Sequence, residues 1–89
     1  MPQVVFTAAA DSDAASLFDD LYAKAGKPTV VKYRALFKKL YDNLADFPES
    51  GAPRSKIGAK IRIGVVSPYV VIYRHTEDII TICREATCL

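Results

Sequence analysis

Hydrophobic positions along this chain change their period twice, and each change marks an element. From Gln3 to Thr7 (QVVFT) the residues are short, apolar and β-branched, which predicts a first strand. From there the spacing becomes helical. Ala10, Ala14, Leu17, Leu21 and Ala25 recur on one stripe, widened by Phe18 and Tyr22, which predicts an amphipathic helix. Thr7 is placed to accept from free amides at the start of that helix, and the acidic cluster that follows suits a helix N-terminus. Position 10 is alanine, so there is no reciprocal capping box. Lys24 stands in the last turn and Gly26 offers a left-handed stop. Pro28 suits the first turn of a second helix. Its stripe is Val30, Tyr33, Phe37, Leu40, Tyr41 and Leu44, with Lys32, Arg34, Lys38 and Lys39 largely off it. Phe47-Pro48 ends this helix, because a residue before proline is pushed out of helical geometry. Two helices joined by a few residues around Gly26 form an antiparallel hairpin over residues 8–47.

After a turn-rich loop, Glu49 to Gly58, the period falls to two. Alternation at Lys60, Ile61, Arg62, Ile63 predicts a strand over 60–66. Pro68 suits a turn or strand start, because it lacks a backbone donor. Tyr69 to Tyr73 is almost wholly apolar, β-branched or aromatic, as an interior strand over 69–75 requires. A polar stretch, His75-Thr76-Glu77-Asp78, predicts a hairpin turn, and Ile79 to Arg84 a final strand. The order strand, helix, helix, strand, strand, strand gives a two-layer α+β domain. A helical hairpin packs on a four-stranded, mainly antiparallel sheet, and residues 1–89 form one domain. Regular alternation points Ile61, Ile63, Val65, Val70, Ile72, Ile80 and Ile82 at the helices. The opposite face then shows Lys60, Arg62, Val71, Tyr73, Thr81 and Cys83, a mixture that favours a partner over solvent.

Composition narrows the class without naming a chemistry. Eighty-nine residues leave room for one small core. No apolar run approaches the roughly 20 residues needed to cross a bilayer. The start of the chain has no basic segment of the kind that opens a signal peptide, so the expected location is the cytoplasm. Cys83 and Cys88, with the single His75, do not make a metal-ligand pattern, and neither a metal nor a cofactor is expected. In that compartment Cys83 reads as a small buried thiol and Cys88 as a tail thiol. The net charge of +2 hides a segregation. Asp11, Asp13, Asp19 and Asp20 stand in the first 23 residues without a base. Lys24 to Lys39, and then Arg54 to Arg74, are two blocks of bases without an acid. Two basic blocks on a small domain suit an acidic partner.

At this point the residues resemble a known family, the toxins of ParE/RelE-type toxin–antitoxin modules, nearer the ParE branch. The resemblance rests on VVFT entering an Asp-rich first helix and on a second helix ending LADFPESG. Arg62 follows in the second strand, then PYVVIYR and DIITICR, so residues 3 to 84 are covered. Each motif alone is weak, and their order and spacing carry the specificity. In the family the last strand runs into a short basic segment, an apolar pair followed by His-Gly-Arg-Arg or similar. Here Arg84 is followed by Glu85, Ala86, Thr87, Cys88 and Leu89. The departure implies that folding and antitoxin binding survive while target engagement is weakened.

The resemblance implies two mechanisms. A ParE-like toxin is a non-enzymatic inhibitor of DNA gyrase, with no catalytic residue, neutralised by a ParD-like antitoxin. In that reading Lys60, Arg62, Tyr73, Arg74 and Arg84 meet the target. Tyr22, Tyr33, Phe37 and Tyr41 offer the antitoxin a groove, although aromatics at helical spacing equally describe a core. The antitoxin's acidic tail would meet the basic blocks, and its extended part would add a strand to the sheet edge. A RelE-like toxin instead cuts messenger RNA on the ribosome, the one reading that requires direct nucleic-acid contact. That needs a base, an acid and cations around the reacting phosphate. His75, Lys56, Lys60, Arg62 and Tyr73 are the candidates, but His75 reads as a solvated turn residue and Val70 follows Tyr69 where that branch places arginine. A third reading is a degenerate toxin that only binds antitoxin.

Overall fold

The computed structural model describes residues 2–87. The chain runs β1 (Gln3–Phe6), α1 (Ala8–Ala25), α2 (Lys27–Asp46), β2 (Ala52–Pro53), β3 (Ile61–Val66), β4 (Tyr69–Thr76) and β5 (Ile79–Thr87). Thr7 couples the first strand to the first helix: its hydroxyl accepts the Ala10 amide at 3.0 Å and donates to the Cys83 carbonyl at 2.9 Å. Gly26 alone separates the helices. Its φ of 82° lies where a Cβ is disfavoured, and its N–H closes α1 on the Tyr22 carbonyl at 2.9 Å. Pro28 lies in the first turn of α2, and Phe47 caps its end.

The strands form one sheet in the order β1-β5-β4-β3-β2. Among the described residues β1 pairs in parallel with β5, and the other pairings are antiparallel. The helical hairpin covers one face, the α+β architecture expected. Three features correct the sequence reading. The sheet has five strands rather than four, because Ala52 and Pro53 pair with Ile63 and Arg62 at the edge. A proline is tolerated there because an edge strand can do without its N–H. The last hairpin turns on Glu77 and Asp78 alone, and His75 and Thr76 belong to β4.

The third correction concerns which side of the sheet is inside. Val71 and Tyr73 are fully buried with Ile80 and Ile82, and they cluster with Ala10 of α1 and with Phe37 and Leu44 of α2. Val65, expected in the core, is 62% exposed. The register pairs Gly64 with Val71 and Arg62 with Tyr73, so the inward residues of β3 are Arg62, Gly64 and Val66. Gly64 explains the inversion. A Cβ there would lie 3.1 Å from Leu40 Cδ1, so α2 lays a leucine onto bare backbone. Ile61 is buried too, though it is paired with Arg74 and packs beside Gly58 rather than under the helices.

β5 needs a second device, since Ile80 and Ile82 face inward as expected. Tyr73 pairs with Ile82 but Ile72 pairs with Arg84, leaving Cys83 as an extra residue in a β-bulge. Beyond it the alternation flips and Glu85, not Arg84, points into the protein with 5% of its surface exposed. The strand therefore continues past Arg84, where it was expected to end, to Thr87. Cys83 is free and half-buried. Cys88 and the reading of it as a tail thiol lie outside the described residues.

Candidate functional site: an aromatic groove and a basic end

The two helices, with β1 and β5, border a groove of about 490 Å³. Phe6, Phe18, Phe37 and Tyr41 give it aromatic walls, and Glu85 lines it from the sheet. The rings meet edge to face: Phe6 on Tyr41 with centroids 5.1 Å apart, Phe18 on Phe37 at 5.7 Å. The α1 rim carries Asp11 and Asp19, and the α2 rim Arg34 and Lys38. Both bases are already engaged, Arg34 over the Phe18 ring at 5.2 Å and Lys38 with Asp42 at 2.9 Å.

The Tyr41 hydroxyl donates to Glu85 Oε1. The other carboxylate oxygen, Oε2, is buried without a hydrogen-bond partner among the described residues. Burial pushes the Glu85 carboxyl above the usual carboxylate range. The Tyr41 hydrogen bond opposes that rise, and the negative charges of Asp13 and Asp11 add to it. Burial and Glu85 together raise the Tyr41 hydroxyl far above its ordinary value. Asp13 behaves in the opposite way. Arg84 donates to both its oxygens, at 2.7 and 3.1 Å, and holds its carboxyl below the ordinary value.

The four aromatic residues expected to receive an antitoxin are not equivalent. Phe37 is in the core at 3% exposure, and Tyr33 packs on Tyr69 with centroids 5.4 Å apart. Tyr41 is half-buried at the groove, whereas Tyr22 stands 61% exposed toward the Gly26 turn. Stripe spacing found the helices' inner faces but not the groove. Its other members, Phe6 and Glu85, come from strands on either side of the hairpin.

At the far end of the sheet, Lys60, Arg62 and His75 line one cleft with Glu49 and Glu77, about 290 Å³ in volume. Arg62 Nη1 donates to the carbonyls of Glu49 at 2.9 Å and Gly51 at 2.7 Å. His75 Nε2 lies 2.9 Å from the Glu77 carbonyl. Tyr73, placed on the open face by alternation, is instead wholly buried. Its hydroxyl donates to Pro48 O at 2.9 Å and accepts Gly51 N–H at 3.0 Å, so it secures the loop that Arg62 clamps. Arg74 is exposed opposite Ile61, and Arg84 is drawn away from this end by Asp13. Of the expected target-binding residues, the structure thus brings Lys60 and Arg62 together in this cleft, while Arg74, paired with Ile61, lies on the opposite face of the sheet at the same end. Among the described residues, no group of three or more His, Cys, Asp or Glu could hold a metal ion, and no helix is long and apolar enough to cross a membrane.

Residues 4–84 match the family model described as "ParE toxin of type II toxin-antitoxin system, parDE". Among curated proteins, none matches the chain in sequence. A solved structure described as the chromosomal ParDE TA system from P. aeruginosa is similar, with a TM-score of 0.82 at 19% identity, covering 100% of this chain and 98% of that one. YafQ from E. coli strain BL21(DE3) is similar at a TM-score of 0.58 and 19% identity, covering 98% of this chain and 93% of its own. A histidine-to-glutamine mutant of YafQ from E. coli gives 0.52 at 18% identity, with the same coverage. At these identities the solved structures establish a shared fold.

Proposed function

Since this chain belongs to the ParE family and is the toxin component of a type II toxin–antitoxin system, we propose that it inhibits DNA gyrase by binding it and that a ParD-like antitoxin neutralises it. The family match across residues 4–84 carries the reading. The two surfaces supply a division of labour. The basic end offers Lys60 to the target from the cleft and Arg74 from the opposite face of the sheet, with Arg62 and Tyr73 holding the loop at residues 48–51 beside Lys60. Lysine and arginine on a rigid sheet end suit acidic protein or phosphate groups. Arg84 adds positive charge along β5, shared with Asp13. The antitoxin takes the helical hairpin, where an amphipathic helix can set apolar side chains against Phe6, Phe18 and Tyr41.

A second reading, ribosome-dependent cleavage of messenger RNA, draws support from one observation: Lys60, Arg62 and His75 share a cleft. The hydrogen bonds of that cleft argue for a structural role, since Arg62 is held on two carbonyls and His75 on a third. Two assays run on the same preparation separate the readings. Purified gyrase should lose supercoiling activity when this protein is added, and translating ribosomes should yield uncut message. Cleaved message with gyrase unaffected would reverse the assignment, and loss of that cleavage in His75→Ala would place the chemistry in the cleft.

A further inference from the structure

We propose that the groove between α1 and α2 is a receptor for a basic side chain, arginine above all, carried by the partner polypeptide that docks on the hairpin. This deepens the antitoxin reading and rests on it for the partner's identity, while the geometry asks only for a cation on an aliphatic stem. The groove combines aromatic faces with three carboxylates, Asp11, Asp19 and Glu85. Among the described residues no ion pair joins them to the groove's own bases, since Lys38 pairs with Asp42 and Arg34 lies over Phe18. Asp11 and Asp19 take part in no ion pair among the described residues.

Glu85 is the observation that points to a ligand. A carboxylate oxygen buried without a partner is costly, and folded proteins rarely leave one so. Tyr41 satisfies only the neighbouring oxygen. The terminal torsion of a glutamate is broad and two-fold, so the carboxylate can turn about it to offer either oxygen without moving the backbone. An arriving guanidinium brings several donors in a planar fork, enough to share the carboxylate with Tyr41. Its stem and face fit the ring of Phe6, which is 43% exposed, where a cation also gains from the ring quadrupole. A neutral apolar side chain would leave Oε2 unpaired, and an acidic one would meet three like charges. The groove therefore selects the charge of what enters it as well as its shape, and a partner with an apolar residue at that point is disfavoured.

The test uses n-butylguanidinium chloride as a probe and n-butylurea as its neutral counterpart, titrated into the whole protein and followed by NMR. The guanidinium should shift the signals of Phe18, Phe37, Tyr41 and Glu85, and its affinity should fall about tenfold or more in Glu85→Gln. The urea should bind no more weakly to that variant than to the parent. Asp11→Asn with Asp19→Asn should weaken the guanidinium by a smaller factor and leave Glu85 in place. Equal affinity of both probes for parent and Glu85→Gln would overturn the proposal, as would shifts confined to other surfaces. Neither probe involves gyrase, so failure here leaves the toxin reading standing, and failure of the supercoiling assay leaves this one standing.

Discussion

Two tyrosines carry hydroxyls into this protein and meet opposite surroundings. Tyr73 finds a donor and an acceptor, Gly51 N–H and Pro48 O, in a loop that Arg62 grips from the other side. The Tyr73 hydroxyl is thus satisfied both as donor and as acceptor. Tyr41 finds Glu85, whose second oxygen has no partner among the described residues. The first arrangement is what a fold does to stabilise a turn that has no regular structure. The second works against stability, since a buried acceptor without a partner costs about 1–3 kcal/mol. The contrast separates a polar cluster that supports the fold from one that works against it, and substitutions at each should respond with opposite signs.

The largest effect is expected at the satisfied end. Tyr73→Ala should cost about 3–5 kcal/mol, through an aromatic cavity and an unanchored loop, which is a large part of a small domain's stability. Denaturant unfolding checks it. Tyr73→Phe isolates the hydroxyl and should cost about 1–3 kcal/mol, because Pro48 O and Gly51 N–H both lose their partner. A change near zero would show that the loop is held by Arg62 alone.

Glu85→Gln should do the reverse and raise stability at neutral pH by about 1 kcal/mol, read as a higher midpoint in urea with an unchanged slope. The sign follows from the titration. Burial raises the folded carboxyl above its ordinary 4.5, so the folded state binds the proton more tightly than the unfolded one. Below pH 4.5 both states are protonated and parent and variant should be equally affected by the site. As pH climbs from there through the raised value, the parent alone should lose stability. A gap between the two that narrows with rising pH would contradict this account of Glu85.

The comparison also shows why the sequence yields one cluster more readily than the other. Helical spacing placed Phe37 and Leu44 inward, Thr7 at the cap and Phe47 at the stop, because those signals are local. Strand alternation misplaced Val71, Tyr73 and Val65, because a period of two has no built-in phase. The phase was set by Gly64, which carries no hydrophobic weight yet receives Leu40. The bulge at Cys83 then turned Glu85 inward, and nothing in the residues around it announces an extra residue in the ladder. Glu85 was visible as a departure from the family pattern. Its meaning was not, since the groove it lines joins residues from β1, both helices and β5. A buried acid sharing one strand face with Ile80 and Ile82 is the signal to look for, once a shift in phase is allowed.

Asp13→Asn gives the smallest and most diagnostic effect. Asp13 accepts from Arg84 and from the Glu85 backbone N–H at 3.1 Å, and its charge adds to the rise at Glu85. Asparagine keeps an acceptor for that N–H and removes the charge. The ion pair it loses is largely exposed on the arginine side, so the stability change should be slight. Asp13 itself titrates below its ordinary 3.8, so its contribution is present above that value and fades as pH falls through the lowered one. In Asp13→Asn that acid-side loss should shrink. The Glu85 carboxyl, freed of a neighbouring negative charge, should at the same time titrate closer to its ordinary value, held above it chiefly by burial. Carboxyl carbon shifts across a pH series read both changes in one experiment. A Glu85 titration that does not move in Asp13→Asn would show that the floor of the groove is electrically isolated from α1, leaving Asp11 and Asp19 no purchase on whatever binds there.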